Sequence, residues 1–439
     1  MKKVQNFTEG PILSPLIRFA LPVLLALFLQ AMYGAVDLLV VGQFGEAADV
    51  SAVSTGSQIL HSITVVITGL AMGITILTGQ RIGEKRPEEA GRTIGAGICL
   101  FALVAGVVTA LMVALAGSMS RIMHAPEEAF AQTVAYVRIC SAGTVFIVAY
   151  NVLGSIFRGI GDSKMPLITV AIACVLNIGG DLLFVSVFHM GAAGAAMATV
   201  LAQAVSVVLS LAIIRRRELP FRLGRGDIRF DGPVIRRILA LGTPVAFQDL
   251  LVSISFLVII AIVNSMGVIA SAGVGVAEKL CAFIMLVPSA YMQSMSAFVA
   301  QNIGAKRLDR ARKALLYGIG TSVAVGFLMF YVSFFHGDWM AGLFARDRQV
   351  ILAAADYLRA YAIDCILTSF LFCFMGYFNG GGKTLFVMGQ GILGAFCIRI
   401  PVAYAVSRIS GVSLFYIGLA TPASTVVQIV LCVWYFVKR

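Results

Sequence analysis

Residues 80–86 read Gln80-Arg81-Ile82-Gly83-Glu84-Lys85-Arg86, and residues 301–307 read Gln301-Asn302-Ile303-Gly304-Ala305-Lys306-Arg307. Three further pairs keep the same spacing. Leu21-Pro22-Val23 answers Thr243-Pro244-Val245, and Tyr136-Val137-Arg138 answers Tyr357-Leu358-Arg359. Phe157-Arg158-Gly159-Ile160-Gly161 answers Phe378-Asn379-Gly380-Gly381-Gly382. The offset is 221 or 222 residues throughout, so the chain is an internal duplication.

The segments between these markers are apolar runs of about 20 residues, each long enough to cross a bilayer core of about 30 Å as a helix. Cutting at polar and Gly/Pro breaks gives twelve spans near 15–41, 50–79, 93–117, 131–157, 164–188, 191–214, 238–264, 269–300, 314–335, 352–378, 385–407 and 411–436. Each half holds six spans, an even number, so both halves enter from the same side. Their pseudo-two-fold axis then lies along the membrane normal, a transporter arrangement. The expected fold is an all-α polytopic membrane protein with twelve transmembrane helices in two six-helix lobes. The lobes are residues 1–214 and 238–439, joined by a basic cytoplasmic linker, 215–237.

Composition agrees with this class. The chain of 439 residues is 59% hydrophobic and 12% charged, with mean hydropathy +0.95. A soluble protein is about 25% charged. The first apolar run, from about Ser14, is full-length and lacks a cleavage site, so it reads as a retained helix. The net charge of +12 does not point to nucleic acid, because its placement is topological. The termini, the linker and the other even-numbered loops carry 24 of the 33 Lys and Arg, whereas odd-numbered loops carry Arg121, Arg346, Arg348 and Arg408. The positive-inside rule places both termini in the cytoplasm, and the expected location is the plasma (inner) membrane.

Eight cysteines fall in apolar stretches without a CxxC, and His61, His124, His189 and His336 are scattered. Asn379-Gly380-Gly381-Gly382-Lys383-Thr384 looks like a phosphate loop, but Tyr377 stands where its first glycine is needed. No nucleophile, base and metal constellation emerges. The chain reads as a transporter without catalytic residues or cofactor, not as an enzyme. The lack of a separate soluble domain suggests a functional monomer whose partners are membrane lipid and small solutes.

The informative residues are acids inside the spans. An ionised carboxylate at mid-membrane costs roughly 2.5–3.5 kcal/mol on insertion scales and commonly marks an ion or proton path. Asp37 and Asp181 have Ile259 and Val402 at the repeat-related positions, so these acids belong to the N-terminal lobe alone. Counting 1.5 Å per residue, Asp37, Tyr136, Asp181 and Thr199 fall in a band roughly 6–12 Å below the outer surface. Asn177 and Asp181 share a helix face as an i,i+4 pair. Carboxylate, amide and hydroxyl oxygens suit Na⁺, and the carboxylates suit protons equally. A polar network that only ties the lobe together is the plainer alternative. Pro22 interrupts the hydrogen bonding of span 1 and favours a bend.

In the second lobe, Asp249, Glu278, Lys279 and Asp364 lie near mid-span. Side chains of adjacent residues diverge by about 100° on a helix, so Lys279 is expected to pair with Asp249 or Asp364 rather than with Glu278. A structural ion pair and a second ion or substrate site both remain open readings. Arg399 in span 11 is expected to be structural or to lie near the cytoplasmic cavity.

In order and spacing, several of these motifs resemble the multidrug and toxic compound extrusion (MATE) family of the multidrug/oligosaccharidyl-lipid/polysaccharide flippase superfamily. They are Pro22 with Asp37, Gln80-x-Ile82-Gly83, Arg158-Gly159-x-Gly161-Asp162 and Asn177-x-x-x-Asp181. Gly191-x-x-Gly194-Ala195-Ala196-x-Ala198-Thr199 and Gln301-Asn302-x-Gly304-Ala305-Lys306 complete the series. The resemblance covers essentially the whole chain. It implies efflux of amphipathic, mainly cationic compounds exchanged for H⁺ or Na⁺ by alternating access. It also implies that Asp37, Asn177, Asp181 and Thr199 form the coupling site, with Gln30, Tyr136 and Asn151 around it and Pro22 as the bending proline. Asp249 and Asp364 do not fall at the spacing of the second-lobe acids found in some branches. A lipid-linked oligosaccharide or polysaccharide flippase of the same superfamily is the alternative. It would need basic residues in its cavity, where this N-lobe offers acids.

Overall fold

The computed structural model describes residues 7–216, 219–221, 223–409 and 411–438. Lys2, Lys3, Arg217, Arg222 and Arg439 of the expected topology signal lie outside the described residues. The described chain is helical with no strand. The first half comprises α1 (Leu13–Phe44), α2 (Ala47–Gly83), α3 (Pro87–Ile122), α4 (Glu127–Ala142), α5 (Thr144–Ile160), α6 (Lys164–Asp181) and α7 (Gly191–Arg216). The second comprises α8 (Gly232–Asn264), α9 (Val268–Ile284), α10 (Leu286–Gly304), α11 (Leu308–Phe335), α12 (Gly337–Gly342) and α13 (Arg348–Gly380). It ends with α14 (Thr384–Ile392), α15 (Ile400–Ser407), α16 (Leu414–Gly418) and α17 (Ala420–Val437).

Eleven of the described helices are long and apolar enough to cross a membrane, and α4 with α5, bent by 51°, makes the twelfth span. The twelve-span expectation therefore holds. The bend in span 4 was not expected. It falls at Gly143, where an added Cβ would lie 2.4 Å from Val200 of α7. Glycine permits both the kink and that close approach.

Two compact units divide the chain. The first is residues 21–246. The second is residues 7–20 together with residues 247–438. Residues 7–20 belong to the second because Phe7 is buried against Phe19 and Phe298, with ring centroids 5.2 and 4.9 Å away. Asn302 Nδ2 and Arg310 Nη2 donate to its carbonyl at 3.2 and 3.0 Å.

In the first unit, the start of α8 crosses α2 at Gly69-x-x-x-Gly73. A Cβ on Gly69 would lie 2.5 Å from Ala246 Cα, and one on Gly73 would lie 2.3 Å from the Ile238 carbonyl. Small residues at such a crossing let membrane helices approach backbone to backbone. The linker packs on α3, where Arg92 Nη2 donates to Asp231 Oδ2 at 2.7 Å. That hydrogen bond holds the Asp231 carboxyl below the usual carboxylate range. Gly73→Val should therefore lower stability by about 1–3 kcal/mol, the usual cost of overpacking. Thermal unfolding in detergent checks this against Gly106→Val, because Gly106 has open space around it.

The duplication reappears in the packing inside each unit. A Cβ on Gly159 of α5 would lie 2.9 Å from the Thr75 carbonyl of α2. A Cβ on Gly380 of α13 would lie 2.5 Å from the Ser296 carbonyl of α10. Both partners of the second pair stand 221 residues beyond those of the first.

Two spans carry a π-helical stretch, Leu182–Val187 directly after Asp181 and Leu393–Arg399 ending on Arg399. π turns re-aim side chains and gather at functional positions. Both stretches therefore adjoin a buried charge.

Candidate functional site

Three helices of the first unit bring four polar side chains together in an apolar surround. α1 supplies Asp37, α6 supplies Asn177 and Asp181, and α7 supplies Thr199. Asp181 and Asn177 are fully buried, and Asp37 and Thr199 are 4% and 8% exposed. Thr199 Oγ1 donates to Asp37 Oδ2 at 3.2 Å, and Asn177 Nδ2 donates to Thr199 Oγ1 at 3.5 Å. The Asp181 carboxyl lies within hydrogen-bonding reach of Asp37.

The site is short of donors. Asp37 Oδ1, Asn177 Oδ1 and both oxygens of Asp181 are buried without a hydrogen-bond partner. Among the described residues, neither carboxylate is in an ion pair with Lys or Arg. Buried acceptors normally find a partner, and two facing carboxylates repel in a low-dielectric site. An arrangement of this kind can accept positive charge, either a proton shared between the acids or a small cation on the free oxygens.

Tyr136 is buried beside this group. It packs among Val40, Val41, Val53 and Cys140, with its ring over Gly56, where a Cβ would come within 2.3 Å. The remaining expected neighbours make separate contacts. Gln30 Nε2 donates to Tyr150 Oη at 3.0 Å. Asn151 Oδ1 accepts from Thr68 Oγ1 at 3.0 Å, tying α5 to α2. Pro22 lies inside an uninterrupted α1.

Tyr33 and Gln203 were not singled out from the sequence. Gln203 Nε2 donates to the Tyr33 hydroxyl at 2.9 Å. Both line a cavity of about 20 Å³ with Gln30 and Tyr150, room for one water-sized molecule. The available signal was their spacing. Tyr33 precedes Asp37 by four residues and Gln203 follows Thr199 by four, each on the same helix face.

Of the second-unit acids, Glu278 and Asp364 share one surround with Arg399, whereas Asp249 stands apart without a charged neighbour among the described residues. Glu278 Oε1 accepts from the Tyr357 hydroxyl at 3.2 Å. Asp364 is 1% exposed, and its Oδ1 has no hydrogen-bond partner. The expected pairing of Lys279 with Asp249 or Asp364 is absent among the described residues, because Lys279 points to the exposed face of α9. The cation nearest in charge environment to Glu278 and Asp364 is Arg399, which is in no ion pair among the described residues. It is 5% exposed, donates from Nη1 to Ser255 Oγ at 3.0 Å and sits 4.4 Å from the Phe256 ring centroid. Asp364, Tyr361, Tyr357 and Glu278 share its electrostatic surround.

Comparison with known proteins places this architecture. The MatE family model matches residues 22–183 and 244–405, two segments offset by 222 residues. The probable multidrug resistance protein YoeA of Bacillus subtilis (strain 168) is 25% identical over 95% of this chain and 92% of its own. The multidrug export protein MepA of Staphylococcus saprophyticus is 21% identical over 94% of this chain and 91% of its own. A crystal structure of MATE in complex with MaL6 superposes with a TM-score of 0.93 at 20% identity, covering 100% of this chain and 98% of that one. An outward-facing multidrug resistance MATE family transporter of the MOP superfamily gives 0.92 at 21% identity, with the same coverage. The duplicated six-span lobes and the two matched segments carry one conclusion: the chain belongs to the MatE family of multi-span membrane proteins.

Proposed function

We propose that this protein is a secondary multidrug antiporter that exports amphipathic organic cations in exchange for H⁺ or Na⁺. The observation that carries the reading is the facing pair of Asp37 and Asp181, buried with three carboxylate oxygens unpartnered and, among the described residues, no basic side chain paired to them. Such a pair binds a proton or small cation strongly in one conformation. Ion and drug are then coupled because each biases the same two-state element. Loading from the outside favours rearrangement of α1, which bears both Asp37 and Pro22, and release of the drug. The names of YoeA and MepA support the multidrug cargo. Both termini face the cytoplasm of the inner membrane in this reading. A lipid-linked pyrophosphate flippase would need basic groups where this site is acidic.

The test is a series at Asp181. Asp181→Glu keeps the charge and retains partial drug export from reconstituted liposomes, whereas Asp181→Ala loses it. An inactive Glu variant beside an active Ala variant would overturn the carboxylate role.

A further inference from the structure

A cavity of about 670 Å³ opens at one end of the second unit, within the 300–1,000 Å³ range of small-molecule sites. The turns joining α8 to α9, α11 to α12 and α15 to α16 converge there, all odd-numbered loops and therefore external on the charge reading. Its apolar wall includes Ile269, Phe334, Phe335 and Leu352, and its charged groups are Asp338, Asp356 and Arg359. The transport site described above does not involve any of them.

The three charges differ in how they are used. Asp356 is engaged: it accepts from the Ser413 hydroxyl and from the Phe415 amide at 3.1 Å, fixing the start of α16. Asp338 and Arg359 are exposed, and neither is in an ion pair among the described residues. Arg359 is the more unusual of the two. It lies 11 residues into α13 and seven past the start of the span expected at 352, about 10 Å along the helix axis. An arginine at that depth of a spanning helix calls for an anionic partner.

The surroundings identify the depth. Phe330 and Phe334 stack at 5.3 Å, Tyr331 and Phe335 lie tilted with centroids 5.2 Å apart, and Trp339 is exposed. Aromatic side chains concentrate where hydrocarbon meets headgroups.

We propose that this cavity binds the headgroup of a zwitterionic aminophospholipid of the ethanolamine type. Arg359 receives the phosphate, Asp338 the primary ammonium, and Phe334, Phe335 and Leu352 carry the upper acyl chain. A free anion would face two carboxylates, and a simple cation would face Arg359. Neither would use the apolar wall. Only a zwitterion with a chain satisfies all three parts.

Native mass spectrometry of the full chain in detergent tests this, with phosphatidylethanolamine and phosphatidylglycerol offered at equal concentration. One phosphatidylethanolamine should be retained per chain, preferred by about tenfold, the effect of one favourable ionic contact. Arg359→Gln should lower its occupancy to the phosphatidylglycerol level. Leu352→Trp, which fills the cavity from an exposed position, should do the same without changing thermal unfolding. Soluble glycerophosphoethanolamine should fail to displace the bound lipid. Equal retention of the two lipids by wild type, or an unchanged preference in Leu352→Trp, would overturn the proposal. Displacement by the soluble headgroup would overturn the lipid assignment.

Discussion

Asp37→Asn should abolish ion-coupled export while the protein still accumulates, inserts and unfolds at no lower temperature than wild type. The substitution is nearly isosteric. Asn keeps an oxygen for the Thr199 hydroxyl and gains an amide that can donate to an unpartnered oxygen of Asp181. It removes one of two facing buried charges, so folding loses nothing that repulsion had not already taken. The coupling does lose its basis, because the site no longer distinguishes strongly between loaded and empty states. Efflux of a fluorescent cation from liposomes should fall by roughly 5- to 150-fold, the range of a coupling free energy of about 1–3 kcal/mol. Wild-type efflux from the variant would remove Asp37 from the mechanism. Loss of efflux together with loss of the folded protein would make its role structural.

The second large effect is expected at Arg399, and on stability. Met at this position preserves most of the stem but not the charge. The change deprives Ser255 of its donor and the Phe256 ring of its cation. It also leaves Asp364, 1% exposed and already short of a hydrogen bond, without its main counter-charge. Leaving a buried acid and a buried hydroxyl without this donor and counter-charge costs about 1–3 kcal/mol. Arg399→Met should therefore unfold well below wild type in detergent. Adding Asp364→Asn should recover part of the loss, because the orphaned acid is then neutral. Equal stability of wild type and Arg399→Met would mean that these groups do not balance one another. A double variant no better than the single one would place the cost in lost packing instead.

Much of the fold was legible in the sequence because membrane spans announce themselves by length. The runs ending near Phe44, Gly83 and Ile122 are bounded by charged or glycine-containing turns, and lipid leaves a run of that kind few alternatives to helix. The break at Gly143 was not legible. The chain has 44 glycines, and nothing in the sequence sets this one apart. The π stretches after Asp181 and before Ile400 were equally hidden, since no residue type marks them.

The first-unit site was legible for a different reason. A carboxylate in an apolar run stands out, and the i,i+4 spacing of Asn177 and Asp181 fixed their common face. Asn151 and Gln30 were harder to place. They came only from the family resemblance, which gives no direction, and each turns to its own partner, Thr68 and Tyr150. The second unit went astray on the same point. Lys279 was expected to reach Asp249 or Asp364 across helices, yet α9 carries it to the exposed face. Arg399, from a span more than 100 residues later, shares the surround of Glu278 and Asp364 instead. Sequence proximity says little about which charges meet across helices.

The central claim is that one buried carboxylate pair couples an inward ion to an outward organic cation. Its most direct test is ethidium efflux from liposomes containing the purified protein, with a proton gradient and a sodium gradient imposed separately. The account predicts efflux driven by one of the two gradients in wild type and by neither in Asp37→Asn. Efflux indifferent to both gradients, or equal in wild type and variant, would contradict it.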